Sequence, residues 1–316
     1  MKKVIVTGGT GVTGNALVYY LLQQNIMVTA LVRPNSFRKK YLPIDNSLLR
    51  VVECGMEEYG NIVSSINDWE YDAFFHLAWD GSTGKQKVGN RNNFKLQNQN
   101  VSYALDAVEL CHMLGCNTFV MTGSQAEYGR YDRPIVETDE KHPENGYGMA
   151  KLCAEGMTRA LCKEYGIRHI WPILFSVYGP NDATESLIDI TIRNLKNGIT
   201  IPYTKGEQRW DYLYSYDAAE ALVRLAELGE DGECYNVAQG VSIPLSQYIY
   251  DLYKVMKTTC IPRLGEVPYS VNQVMFLGAN IDKLVKKTGF TPKHSFEECV
   301  LIISEYIDRE DHPRRC

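Results

Sequence analysis

Tyr147 and Lys151 stand four residues apart in Asn145-Gly146-Tyr147-Gly148-Met149-Ala150-Lys151, at the start of a stretch that reads as helix. That spacing sets a phenol and an ammonium on one helical face. A neighbouring cation favours phenolate, so the pair is expected to draw the tyrosine below its ordinary pKa of about 10. A phenol tuned in this way passes a proton to or from a carbonyl or alcohol oxygen near neutral pH. Such pairs also occur on ordinary solvated helices; the weight of this one comes from a second motif. Val4-Ile5-Val6 runs into Thr7-Gly8-Gly9-Thr10-Gly11-Val12-Thr13-Gly14, and an amphipathic stretch follows with Ala16, Leu17, Tyr20 and Leu21 on one side. Strand, glycine turn and helix, in that order, is the context of a dinucleotide site. Gly8 permits the tight turn, Gly11 the approach of a pyrophosphate to the backbone, and Gly14 close packing of helix on strand. The helix N-terminus supplies N–H groups and the positive end of a dipole.

Elements that alternate between apolar, β-rich runs and helical patterns must hold these two motifs. Candidate strands are Val4–Val6, Met27–Val32, Arg50–Glu53, Ala73–Leu77, Thr118–Met121 and His169–Leu174; candidate helices are Thr13–Gln24, Asn92–Leu114 and Gly146–Tyr165. The alternation predicts parallel strands joined by right-handed crossovers, an α/β fold with a Rossmann-type doubly wound parallel sheet. After Pro180 the pattern loosens. Helices are expected at Glu185–Asn197, Ser215–Glu227, Leu245–Lys257, Ile281–Thr288 and Ser295–Tyr306, and strands at Ile199–Tyr203 and Glu233–Val237. The expected division is a dinucleotide-binding domain over 1–178, with 209–240 returning to it, and a smaller C-terminal substrate-binding lobe made of 179–208 and 241–316. That lobe would cover the carboxyl edge of the sheet, where ligands sit in open α/β sheets.

Composition narrows the class. The chain has 316 residues, 45% hydrophobic and 22% charged, which suits one or two globular domains. A net charge of −5 and the lack of a long basic run argue against nucleic acid or an anionic membrane as partner; Arg314 and Arg315 at the tail are too few to alter that. The chain enters a strand within three residues and holds no apolar run of about 20 residues, so neither a signal peptide nor a membrane span is expected. The nine cysteines lack metal-ligand spacing and read as reduced thiols of a cytoplasmic protein, with no metal site expected.

The end of the second strand bears on which dinucleotide binds. NAD sites place an acidic residue about 20 residues past the glycines, on the ribose 2′-hydroxyl. Here the strand ends Ala30-Leu31-Val32-Arg33-Pro34-Asn35-Ser36, with Arg38, Lys39 and Lys40 beyond. Arginine suits a 2′-phosphate by charge and by its planar fork, so NADP(H) is expected in preference to NAD(H).

With these residues in view, the chain resembles the extended short-chain dehydrogenase/reductase family, in its NAD(P)-dependent nucleotide-sugar epimerase/reductase branch. The glycine turn looks like that family's TGxxGxxG loop. His76-Leu77-Ala78-Trp79 resembles the cofactor-lining segment after its fourth strand, and Asn100 matches an asparagine on the following long helix. Thr122-Gly123-Ser124-Gln125-Ala126-Glu127-Tyr128-Gly129 resembles its catalytic serine/threonine segment, and Tyr147 with Lys151 its YxxxK. Phe175-Ser176-Val177-Tyr178-Gly179-Pro180 is similar to FNVYGP, Arg209-Trp210-Asp211-Tyr212-Leu213-Tyr214 with Asp217 to RDFxYVxD, and Gly232–Val237 to GExYNV.

The resemblance implies that Ser124, Tyr147 and Lys151 are catalytic. It implies that Thr7, Gly8, Gly9, Thr10, Gly11, Val12, Thr13, Gly14, Arg33, Leu77, Ala78, Trp79, Asn100, Tyr147 and Lys151 hold the cofactor. Trp79, Ser124, Gln125, Ser176 and Arg209 would hold the substrate. Ser176 replaces the family's asparagine, and Arg209 lies one residue further from Asp211 than usual. Gln125 and Ala126 stand where sugar 4,6-dehydratases carry Asp-Glu, so dehydration is not expected. His76 reads as a core residue. The leading expectation is NADPH-dependent reduction of a nucleotide-linked 4-keto-6-deoxy sugar by a homodimer. Tyr147 would donate the proton, Lys151 would lower the phenol pKa and bond the nicotinamide ribose, and Ser124 would bind the reacting oxygen. A nucleotide-sugar 4-epimerase using the same residues is the first alternative. A non-catalytic NADPH-sensing regulator is the second, and the intact Ser124, Tyr147 and Lys151 argue against it.

Overall fold

The structure is a computed structural model that describes residues 1–66, 68–82 and 87–311; Arg314 and Arg315 lie outside the described residues. In chain order the strands are β1 (Lys3–Thr7), β2 (Met27–Val32), β3 (Leu49–Glu53), β4 (Ala73–His76), β5 (Thr118–Met121), β6 (Gly123–Ser124), β7 (Arg168–Leu174), β8 (Ser176–Tyr178), β9 (Arg209–Trp210), β10 (Tyr212–Tyr214), β11 (Glu233–Val237), β12 (Ile243–Pro244) and β13 (Phe276–Leu277). The helices are α1 (Val12–Gln23), α2 (Val63–Ile66), α3 (Lys87–Arg91), α4 (Phe94–Met113), α5 (Gly146–Tyr165), α6 (Leu187–Lys196), α7 (Ser215–Leu228), α8 (Leu245–Val255), α9 (Asp282–Thr288) and α10 (Phe296–Asp311).

The main sheet is parallel in the order β3-β2-β1-β4-β5-β7-β11, with β6 paired to β7. Its strands are apolar on both faces because both faces are covered. Ile5, Leu31, Phe74 and Phe119 pack with Val101, Ala104 and Val108 of α4 and Ala150 and Ala154 of α5. Val4, Val6, Ala30 and Val120 pack the other way, with Leu17 and Leu21 of α1 and Ala218, Leu222 and Leu225 of α7. Chain order reverses between β1 and β4, so the crevice at their carboxyl ends is the switch point where such sheets take ligands. This is the doubly wound architecture the alternation predicts.

A third core lies beyond that edge. Ile188, Ile192 and Leu195 of α6, Ile249, Leu252 and Tyr253 of α8, and Cys299, Val300 and Ile303 of α10 pack with Tyr178, Tyr203 and Tyr214. The region is tied back to the glycine-turn helix by Asn181 Nδ2, which donates to Asn15 Oδ1 at 2.7 Å, and is tied within itself by Arg193 of α6, which pairs with Glu310 of α10 at 2.6 Å. One expected element is corrected here. Ile199–Tyr203 is not a strand, and only Pro202 makes an isolated bridge, to Arg263. A proline has no N–H to carry a ladder further. Among the described residues no helix is long and apolar enough to cross a membrane.

Candidate active site

The glycine turn is shaped by close backbone approach. Gly8 has φ +70°, and a Cβ there would lie 2.7 Å from the Ala78 nitrogen; a Cβ on Gly14 would lie 2.2 Å from the Gly8 carbonyl oxygen. A Cβ on Gly11 would meet only the Gly8 oxygen, at 3.5 Å, so the protein's own packing does not demand glycine there. Gly11 is the N-cap of α1, has no side chain to cap the first turn, and is followed by no acidic residue in that turn. Bare N–H groups at a helix start, with an uncrowded backbone over them, fit a pyrophosphate.

Thr7 faces inward. Its Oγ1 is 2.9 Å from His76 Nδ1 and accepts from the Ala78 N–H at 3.2 Å, so it pins the segment after β4 against β1. Burial pushes His76 down to about 3, keeping it neutral, as expected of a core histidine. Leu77, Ala78 and Trp79 are half-buried at the strand's end. Asn100 is fastened to the same wall: its Oδ1 accepts from the Asp80 N–H at 2.9 Å and its Nδ2 donates to the Asp80 carbonyl at 3.0 Å. Trp79 Nε1 donates to Gln97 Oε1 at 2.8 Å, an anchor not foreseen from the sequence.

Ser124, Tyr147 and Lys151 converge on this wall. Asn145 caps α5 by accepting from the Gly148 N–H at 2.9 Å, which sets the tyrosine at the helix start. The Tyr147 ring lies edge-on to Trp79, with centroids 6.1 Å apart, and the Arg91 guanidinium lies 4.8 Å above its face. Lys151 Nζ donates to the Thr122 carbonyl at 2.8 Å and sits 3.9 Å from the centre of the Trp79 ring. Ser124 Oγ accepts from the Ala126 N–H at 3.2 Å, which leaves its proton to donate elsewhere.

The expected electrostatics need correction. Tyr147 is pushed up, not down, because burial outweighs the opposing effects of the Ser124 hydroxyl and the Arg91 cation. Lys151 is itself buried and pushed down to about 7 by desolvation, with the Glu127 charge opposing the fall. The cation that lowers the phenol is Arg91, whose spacing from Tyr147 in sequence gave no cue to the stacking.

The other expected site residues are more dispersed. Gln125 is half-buried one residue after Ser124. Ser176 lies in β8, in register with Tyr212 of β10. Arg209 is exposed on β9, and its guanidinium donates to the Ser242 carbonyl. Arg33 is exposed just past β2 and, among the described residues, its guanidinium forms no hydrogen bond or ion pair, whereas Arg38 donates to the Asp182 carbonyl at 3.1 Å and Lys39 pairs with Glu53 at 2.8 Å. Glu127, wholly buried behind Ser124, was not foreseen as part of the site. The signal for it was present: a glutamate three residues after a serine is the capping-box spacing, and that box forms here.

A switch-point crevice, an uncapped glycine turn and a Ser-Tyr-Lys set on one wall define an extended short-chain dehydrogenase/reductase. Residues 4–238 match the family model described as the NAD dependent epimerase/dehydratase family, and the chain belongs to that family. It is 24% identical over 335 residues to a dTDP-D-glucose 4,6-dehydratase of Mus musculus, with 98% of this chain and 90% of that one covered. Among solved structures it resembles a UDP-N-acetylglucosamine 4-epimerase from Methanobrevibacter ruminantium (TM-score 0.86, 23% identity, 98% of this chain and 99% of that one covered). It also resembles a double mutant of a dTDP-glucose 4,6-dehydratase from Streptomyces venezuelae with NAD bound (TM-score 0.83, 20% identity, 98% of each chain covered).

Proposed function

We propose that the chain is an NADPH-dependent reductase of a nucleotide-linked 4-keto-6-deoxy sugar, giving a deoxysugar nucleotide. The observation that carries this reading is Arg33, whose guanidinium is unpaired among the described residues, at the end of β2 where an NAD site needs a carboxylate. Residues 30–44 contain no Asp or Glu, and Glu53 on the adjoining strand is engaged by Lys39. The cofactor, when bound, supplies the hydride; the protein supplies position and field. The phenol of Tyr147 is held protonated at neutral pH by burial, the form in which it donates to a carbonyl oxygen gaining negative charge. The Ser124 hydroxyl, which faces the Tyr147 phenol, can donate its proton to the same oxygen. Gln125 and Ala126 provide no acid for elimination, which sets the chain apart from a 4,6-dehydratase.

In this reading residues 1–178 and 209–240 hold the dinucleotide, and 179–208 with 241–316 hold the sugar nucleotide. A homodimer through α4 and α5 is part of the same proposal, supported by exposed Met149, Cys153 and Met157 at four-residue spacing along α5. A cytoplasmic location is supported by the free thiols among the described cysteines.

The test combines binding with turnover. NADPH is expected to stabilise the protein against heat more than NADH at equal concentration, and nicotinamide absorbance is expected to fall when dTDP-, CDP-, UDP- or GDP-linked 4-keto-6-deoxy sugars are added. Arg33→Ser should weaken NADPH about tenfold and leave NADH unchanged. A 4-epimerase is the second reading, favoured by the match along nearly the whole chain to a 4-epimerase structure. NAD that survives dialysis, with sugar interconversion and no net NADPH consumption, would replace the first reading with the second.

A further inference from the structure

We propose that Glu127 is a positioning residue of this site: it fixes the amide of Ser124 and supplies the negative charge that keeps Lys151 an ammonium. The proposal rests on Ser124, Tyr147 and Lys151 being the reacting set. Glu127 is fully buried, and each neighbour of its carboxylate is a donor. Oε1 accepts from the Ser124 N–H at 2.7 Å, Oε2 from Lys141 Nζ at 3.0 Å, and Trp171 Nε1 lies 3.3 and 3.2 Å from the two oxygens. Burial raises the carboxyl, but Lys141 and the Ser124 amide oppose it, and a protonated carboxyl would find no acceptor among these partners, so the group is a carboxylate.

The geometry makes this carboxylate part of the site. Lys151 grips the Thr122 carbonyl at 2.8 Å, and Glu127 grips the Ser124 amide at 2.7 Å. The three residues that end in the reacting serine are therefore held at both ends by buried charged side chains. Gly123, between the two grips, makes room: a Cβ there would lie 2.3 Å from Trp171 Nε1 and 2.6 Å from Glu127 Oε1. Further out, Lys141 bonds Glu155 Oε2 at 2.8 Å, and Glu155 Oε1 receives Arg159 at 3.0 Å and the Cys234 thiol at 3.2 Å. A buried ion pair is dear in desolvation, and an apolar side chain of similar size would serve stability as well. Retaining the charge makes sense if the charge is used.

The groups that bear on Lys151 and Glu127 come from several elements. Lys141 comes from the loop before α5, Glu155 (itself paired with Arg159) and Tyr147 from α5, Cys234 from β11, and His76, uncharged, from β4. Among the groups acting on Lys151, Glu127 is the one that favours the charged form.

The experiment follows the Lys151 Cε resonance by NMR in the full chain with isotope-labelled lysine, assigned by its loss in Lys151→Met. In Glu127→Gln the titration midpoint of Lys151 is expected to fall by about one unit, tenfold in proton affinity. Glu127→Gln/Lys141→Met, which also removes the ammonium that Glu127 pairs with, is expected to shift the same way and covers the case in which the single variant does not fold. A folded variant whose Lys151 midpoint stays at the wild-type value overturns the proposal. In NADPH-linked reduction, Glu127→Gln should lower kcat and move the acid-base limbs of the pH profile while leaving NADPH affinity unchanged. Tyr147→Phe serves as the separate control. If it turns over normally, the reading of the reacting set fails, while the Lys151 titration still decides the role of Glu127.

Discussion

Around the glycine turn, backbone meets backbone; in the lobe beyond Pro180, ring meets ring. A Cβ on Gly14 would sit 2.2 Å from the Gly8 oxygen and 3.0 Å from the Gly9 Cα, so helix and turn approach as closely as main chains can. Where the lobe's core meets the sheet half, Tyr178 packs against Tyr212, Tyr214 and the lobe's Phe296 with centroids 5.7, 6.0 and 5.5 Å apart, and within the lobe Tyr248 meets Phe296 at 4.8 Å. Backbone contacts leave no side chain to adjust, so one added carbon has nowhere to go. Aromatic contacts spread their energy over many atoms and can be re-made at slightly different angles. The sheet half around the glycine turn should therefore be brittle to single changes, and the lobe beyond Pro180 should be tolerant.

The largest expected effect tests the chemistry of the brittle half. Tyr147→Phe removes the proposed proton donor but keeps the ring between Trp79 and Arg91, and turnover should fall by about 10²–10⁴. NADPH affinity and urea stability should stay near wild type. A parallel collapse of stability would show that the phenol holds the wall together and does more than move a proton.

Gly14→Ala comes next. Its methyl group would overlap main-chain atoms of Gly8 and Gly9, and a loss of about 3 kcal/mol in urea unfolding is expected. Gly156→Ala is the control. Nothing lies within 4 Å of the added carbon on α5, so it should be neutral or stabilise by about 0.5–1 kcal/mol.

Acid should also strike the sheet half first. His76 on β4 and His169 on β7 are buried in it and pushed down by desolvation, to about 3 and about 4. The unfolded chain takes up their protons near pH 6.5 and the folded chain does not. Their contribution is therefore complete above the unfolded value and is lost as pH falls below it toward the folded values. Between neutrality and about pH 5, each should cost about 2 kcal/mol in urea unfolding. His169→Phe, which keeps a ring stacked between Phe119 and Trp171, should remove its half of that acid sensitivity. An unchanged slope in that variant would place the acid sensitivity elsewhere.

The same contrast decided what could be read from the residues alone. β2, β5, β11 and α5 fall where the apolar runs and the Asn145 cap put them, because local pattern and tertiary demand agree in a covered parallel strand or a capped helix. The glycine turn and the Ser124, Tyr147 and Lys151 motifs were legible for the same reason. The phenol's upward shift was not, since burial by Trp79 and Arg91 belongs to three separated segments. Nor was the β8–β10 pair, which joins Ser176–Tyr178 to Tyr212–Tyr214 across thirty-odd residues with no turn signal between them. Ile199–Tyr203 misled because its β-branched residues look like a strand while Pro202 forbids a ladder. Glu127 showed only its capping-box spacing from Ser124; the fold alone brings Lys141 and Trp171 to it.

The smallest expected effect tests the lobe. Tyr203 is buried, with its hydroxyl 3.1 Å from Thr191 Oγ1 and 3.4 Å from the Tyr253 hydroxyl. Tyr203→Phe deletes that link but keeps the ring and its edge-on contact with Tyr253 at 6.4 Å. Thr191 lies inside α6, where a threonine hydroxyl can turn to a carbonyl of its own helix, so it need not stay unpaired. The cost should be about 1 kcal/mol in urea unfolding, with turnover unchanged. A loss as large as that of Gly14→Ala would mean that the lobe hangs on single contacts as the turn does. In that case the contrast between a brittle sheet half and a tolerant lobe would have to be given up.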